Sequence, residues 1–101
     1  MKANLMTLDE LRAEKRDAIL AIATRHGVTA VRVFGSFARG NAGPESDLDL
    51  LIERGEHRTP FFPGGLVADL ELELGRKVDV TSTSALHPSL RGEILRKAVP
   101  L

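Results

Sequence analysis

At 101 residues and 11.0 kDa, the chain has room for one domain with one small core. Hydrophobic residues make up 43% and charged residues 28%, ordinary values for a folded globular protein, which argues against disorder. The 14 Lys and Arg balance the 14 Asp and Glu, so there is no basic excess of the kind a dedicated nucleic-acid binder carries. Without cysteine there is no disulfide framework, thiolate metal site or thiol nucleophile. The longest purely apolar run, residues 18–23, is far short of the roughly 20 residues of a membrane span. The N-terminus shows no signal-peptide apolar stretch, and a cytoplasmic location is expected.

In chain order, Thr7-Leu8-Asp9-Glu10 reads as a capping box, with Thr7 as N-cap and Glu10 reaching back. Leu8, Leu11, Ala18, Ile19 and Ile22 then recur at helical spacing, and Gly27 supplies the stop. Arg12, Lys15, Arg16 and Arg25 fall on the remaining faces, expected to be a solvated surface rather than an RNA-contacting one. Residues 28–34 are β-branched and mostly apolar, so a strand buried on both faces is expected. Gly35-Ser36 breaks it, residues 37–40 allow a short helical turn, and residues 41–44 carry loop chemistry. A second strand spans 48–52 and a polar loop follows through Arg58. Residues 60–64 lead into a helix with Leu66, Leu70 and Leu74 on one stripe and Gly75 at its end. A third strand covers 78–81; Pro88 opens a last short helix carrying Leu90, Ile94 and Leu95, which Pro100 terminates. Helices alternating with about three strands make a single α/β (α+β) domain over residues 1–101, with a small sheet flanked by helices.

Asp47 and Asp49 are two residues apart, so in a strand they share a face about 6.6 Å apart. At an effective dielectric of about 20 their repulsion is roughly 2.5 kcal/mol, against about 0.6 in open water. A wet strand face makes that cost trivial, but Leu51 lies on the same face, which is therefore not uniformly solvated. From the pair alone, a metal site and a wet face stand level. Asp79 has apolar neighbours pointing the other way, and taken singly it reads as an exposed strand-end carboxylate. If its strand pairs beside the second, about 4.8 Å away, three carboxylates converge. Oxygen ligands of that kind suit Mg²⁺, and two such ions can activate an attacking oxygen and stabilise a leaving one.

Gly35-Ser36 alone is an ordinary strand-to-helix turn with Ser36 as cap; beside paired carboxylates it also suits a phosphate, through free N–H groups and a hydroxyl. Arg39 is placed to ground a phosphate or to pair with Glu45. Gly40 and Gly43 read as turn residues and Glu53 as a solvated strand-end charge. His26, His57 and His87 have no metal-ligand spacing and are expected at the surface. Phe61, Phe62 and Leu66 are expected in the core, with a partner-facing patch as the other reading.

Gly35-Ser36, ten residues, then Asp47-Leu48-Asp49 resembles the GS-x10-DxD signature of DNA polymerase β-like nucleotidyltransferases. The fuller wording, residues 35–40 and 46–50 with LELELGRKVDV at 70–80, is similar to the small prokaryotic branch of minimal nucleotidyltransferases, with no departure at the motif positions. The resemblance implies a mixed-sheet nucleotidyltransferase fold in which Asp47 and Asp49 hold two Mg²⁺. It further implies that Asp79 assists one ion and orients or deprotonates the acceptor, and that Gly35 and Ser36 grip the ATP phosphates. In-line transfer of AMP from ATP is the implied chemistry, and an antitoxin paired with a HEPN-domain toxin the implied setting. A protein adenylyltransferase is therefore expected, with a binding module that masks its partner by contact as the alternative. Transfer to a small molecule is the weaker enzyme reading. The chain contains no tyrosine, so it cannot modify a tyrosine of its own.

Overall fold

The computed structural model describes residues 7–56 and 62–101; His57, Pro60 and Phe61 lie outside them, and with them the expectations made there. Helix α1 (Leu8–Arg25) begins where the Thr7 hydroxyl accepts the Glu10 N–H at 3.0 Å and donates to the Glu10 carboxylate at 3.0 Å. The box thus closes side chain to side chain. Strand β1 (Val28–Phe34) runs into a short helix α2 (Gly35–Arg39), which Gly40 ends at φ 80°. Strand β2 (Leu48–Arg54), helix α3 (Gly64–Leu74) and strand β3 (Val78–Ser82) follow, with Gly75 closing α3 at φ 61°. Helix α4 (Pro88–Lys97) and a two-residue strand β4 (Val99–Pro100) complete the described chain.

The sheet order is β3-β2-β1-β4, with β2 and β3 parallel and the other pairs antiparallel. Among the described residues the sheet has four strands rather than three, because β4 pairs Val99 with Val33 and Pro100 with Arg32. Two residues cannot display an alternation, and Pro100, lacking an N–H, is tolerated at an edge. Leu48, Leu50, Ile52, Val33 and Val78 pack with Leu11, Ile19 and Ile22 of α1 and Leu66, Leu70 and Leu74 of α3 in one core cluster. Helices α1 and α3 therefore cover one face of the sheet. Strand β1 is not buried on both faces as expected: Val28 and Val33 are buried, but Thr29 is exposed and the residues between are half-buried. Its second face belongs to the site side of the sheet, where helices give less cover.

Two expected surface features are structural braces. Lys15 meets Glu73 of α3 at 2.8 Å, and Arg12 donates to the carbonyls of Pro100 and Leu101, the latter at 3.2 Å. His26 is buried rather than exposed, and its Nε2 lies 2.8 Å from Asp69 Oδ2. It caps the C-terminal end of α1 at the seam with α3, so the ring turns inward between the helices. His87 is exposed as expected, where its side chain accepts the Ser89 N–H. Phe62 is half-buried against the core and Leu66 fully buried, as expected of core residues.

Phe37 anchors α2: its ring is 1% exposed in the main core, so the turn at Gly35-Ser36 rides on a buried aromatic. Phe37→Ala is expected to lower unfolding stability by about 3–5 kcal/mol in urea titrations, a large share of what a domain this size has. A loss below about 1 kcal/mol would show that α2 is not seated on that ring.

Candidate active site

Pairing of β2 with β3 puts Leu48 opposite Val78, Asp49 opposite Asp79 and Leu50 opposite Val80. Residues paired across parallel strands project to the same face, about 4.8 Å apart. Alternation sends Leu48, Leu50 and Val78 into the core, so Asp49 and Asp79 stand together on the other side. On the other flank of β2, Phe34 is opposite Asp49, and the chain leaves β1 at the next residue. The Gly35 backbone therefore passes directly beside the Asp49 carboxylate. A Cβ added to Gly35 would lie 3.0 Å from Asp49 Cγ and overlap its Oδ2, and φ at Gly35 is +71°, a conformation other residues rarely adopt. Two separate constraints thus select glycine here.

Strand β2 starts at Leu48, as expected, and Asp47 is exposed one residue ahead of it, although its two-residue spacing from Asp49 suggested a shared strand face. The ladder is nonetheless tied at that point, since Leu48 N–H donates to the Lys77 carbonyl at 2.9 Å. The Asp49 carboxyl is pushed above the usual aspartate range. Burial contributes most, then the charges of Asp79 and Asp47, while Arg39 pulls the other way. Negative charge is therefore concentrated at one point of a half-buried surface. Among the described residues, no three acidic or histidine side chains stand close enough, as arranged, to hold a metal ion. Asp49 and Asp79 come together, and Asp47 flanks them.

Ser36 is half-buried in the first turn of α2, and its carbonyl accepts the Asn41 N–H at 3.0 Å. Arg39 is exposed and, among the described residues, does not pair with Glu45; its influence falls on Asp49. Glu53 is not a free solvated charge but pairs with Arg32 at 2.8 Å across the β1–β2 ladder. Leu51 is fully buried yet stands outside the main core cluster, on the carboxylate side of β2.

Two features escaped the sequence. A cavity of about 270 Å³ opens beside Gly35, walled by Phe34, Ala38 and Arg39 on one side and Glu93, Ile94 and Lys97 of α4 on the other. The helical pattern of α4 was legible, but not that its polar face would look onto α2. Arg76 is the second: its guanidinium lies 5.0 Å from the Phe37 ring centroid and donates to the Gly43 carbonyl at 3.2 Å and the Ser46 carbonyl at 2.6 Å. Nothing in its neighbours Gly75 and Lys77 marks it out in the sequence.

A Methanocaldococcus jannaschii protein provisionally named a protein adenylyltransferase is 36% identical over 94 residues, 93% of this chain and 97% of that protein. The protein adenylyltransferase MntA of Thermococcus cleftensis is 32% identical over 95 residues, 94% of this chain and 96% of its own length. Among solved structures, one provisionally identified as a minimal nucleotidyltransferase has 47% identity and a TM-score of 0.83, covering 98% of this chain and all of that one. A toxin-antitoxin complex with AMP-PNP shares the fold at TM-score 0.72 and 16% identity, over 85% of this chain and 71% of that one. Residues 15–101 match the nucleotidyltransferase domain, and with relatives of this likeness along nearly the whole chain, the protein belongs to the nucleotidyltransferase family of enzymes.

Proposed function

We propose that the chain transfers AMP from ATP to a hydroxyl of a partner protein, a HEPN-type toxin, and thereby silences it. The observation that carries this reading is the in-register pair Asp49 and Asp79 with the side-chain-free backbone of Gly35 against Asp49. Support comes from relatives whose names say protein adenylyltransferase, and from the shared fold of a toxin-antitoxin complex with AMP-PNP.

The donor set fits Mg²⁺: it is all oxygen, with no histidine or thiolate, and burial, then the charges of Asp79 and Asp47, lift Asp49 in a way that a bound cation would offset. In this reading Asp47 and Asp49 hold two ions and Asp79 assists one of them. When bound, the ions would neutralise charge on the triphosphate and on the leaving pyrophosphate. Gly35 gives the phosphates a close approach to backbone N–H groups, the Ser36 hydroxyl adds a donor, and Arg39 adds an exposed cation at the rim of the cavity. Asp79 orients the acceptor hydroxyl and takes its proton. The acceptor oxygen bonds to the α-phosphorus as the bond from that phosphorus to the αβ-bridging oxygen breaks, and pyrophosphate departs with the electron pair. The cavity of about 270 Å³ beside Gly35, between α2 and α4, supports this reading by offering room for the rest of the nucleotide.

Labelled ATP, Mg²⁺ and the protein encoded next to this chain are expected to yield a labelled partner, and Asp47→Asn with Asp49→Asn to abolish the label. Labelling that survives the double variant refutes the site. Loss of label with full silencing of the partner's RNase activity would instead assign the antitoxin effect to binding alone. Gly35→Ala is expected to lower kcat/KM about 100-fold, because the added methyl displaces Asp49 by a fraction of the reacting distance. A change within threefold would mean that the turn yields without consequence.

The crowded charge also has a sign in stability. A carboxyl whose folded pKa is raised binds its proton more tightly folded than unfolded, so its contribution is lost as pH rises through that raised value. Asp49→Asn is therefore expected to raise the melting temperature at pH 7 by a few degrees, with the gain shrinking as pH falls through that raised value and gone below about pH 4. A melting temperature that falls at pH 7, or a gain that persists at pH 3, would contradict the crowding.

A further inference from the structure

We infer that Arg76 is a positioning residue that sets the backbone of Asp47 against the carboxylates of Asp49 and Asp79; the inference rests on the transfer reading above. Asp47 precedes the ladder and is exposed, so burial does not fix it, and strand pairing holds only its C-terminal peptide, through the Leu48 N–H. What precedes it is a tight turn. Ser46 N–H donates to the Gly43 carbonyl at 3.1 Å, and Gly43 N–H donates to the Ser46 hydroxyl at 2.8 Å. Arg76 locks that turn from below, with one guanidinium nitrogen donating to the Gly43 carbonyl at 3.2 Å and to the Ser46 carbonyl at 2.6 Å. The Ser46 carbonyl belongs to the peptide that leads into Asp47.

The same guanidinium stacks over Phe37, the buried anchor of α2, while its own backbone stands two residues ahead of Val78 in β3. One side chain thus touches the helix that follows Gly35, the turn that delivers Asp47 and, through its backbone, the strand that delivers Asp79. Adjacent to it, Lys77 accepts the Leu48 N–H that opens β2. A planar fork suits this double role: it can lie flat on a ring while donating in its own plane. An ammonium keeps the charge but not that geometry.

The test compares Arg76→Lys and Arg76→Met with wild type in transfer kinetics and in amide hydrogen exchange, with Val31→Ala in β1 as a general-destabilisation control. Both Arg76 variants are expected to lose about 10- to 100-fold in kcat with KM for ATP within about threefold. The amides of Gly43, Ser46 and Leu48 should exchange at least about tenfold faster while α1 and β1 keep their protection. Unchanged exchange in that segment overturns the inference, as does a kcat loss no greater than that of Val31→Ala at equal loss of melting temperature. If wild type transfers no AMP to the partner, the transfer reading fails alone, and the exchange measurement still decides whether Arg76 holds the turn.

Discussion

Two like charges held in register are the constraint around which this molecule is arranged. Parallel pairing of β2 with β3 makes Asp49 and Asp79 neighbours, and the core residues alternating with them forbid a register slip. A shift by one residue would send Leu48, Leu50 and Val78 to the carboxylate side and the aspartates into the core. The apolar alternation that stabilises the sheet thus enforces the repulsion that destabilises its outer face. Asp49 shows the consequence, lifted above the usual range by burial first and then by Asp79 and Asp47. Charge opposed to stability at a cleft is the pattern expected of a functional site rather than of a scaffold.

The surroundings of that pair follow from chain geometry. Because Phe34 is paired with Asp49, whatever comes next must pass the carboxylate, and Gly35 alone among side chains leaves the space. Phe37 then returns α2 to the core, and Arg76 lies across its ring to reach the turn ahead of Asp47. The other side of the sheet is ordinary in comparison: α1 and α3 bury their leucine and isoleucine stripes, and the Lys15–Glu73 and His26–Asp69 contacts join them across their seam.

Much of this was legible in the sequence, for definite reasons. Periodicity placed α1 and α3, β-branched runs placed β1 and β3, and glycines at positions 27 and 75, both at positive φ, marked where α1 and α3 end. The face shared by Asp49, Asp79 and Leu51 also followed from alternation once the strands were paired. What escaped depended on partners distant in sequence. His26 and Glu53 read as surface charges because Asp69 and Arg32, which engage them, lie 43 and 21 residues away. Strand β4 is too short to carry a pattern, and Arg76 has no local signal because its partners are carbonyls 30 and 33 residues earlier. The strand start at Leu48 was legible, but the spacing argument also lent Asp47 a place on the strand face, which its position one residue before the ladder does not impose.

The proposed transfer requires that these carboxylates hold divalent cations against a nucleoside triphosphate. Paramagnetic resonance of Mn²⁺, titrated into the protein with AMP-PNP, addresses it without requiring an acceptor. Two bound Mn²⁺ per chain are expected in wild type and none in a chain with both Asp49 and Asp79 changed to Asn. Nucleotide bound without Mn²⁺, or Mn²⁺ held equally well by the altered chain, would contradict it.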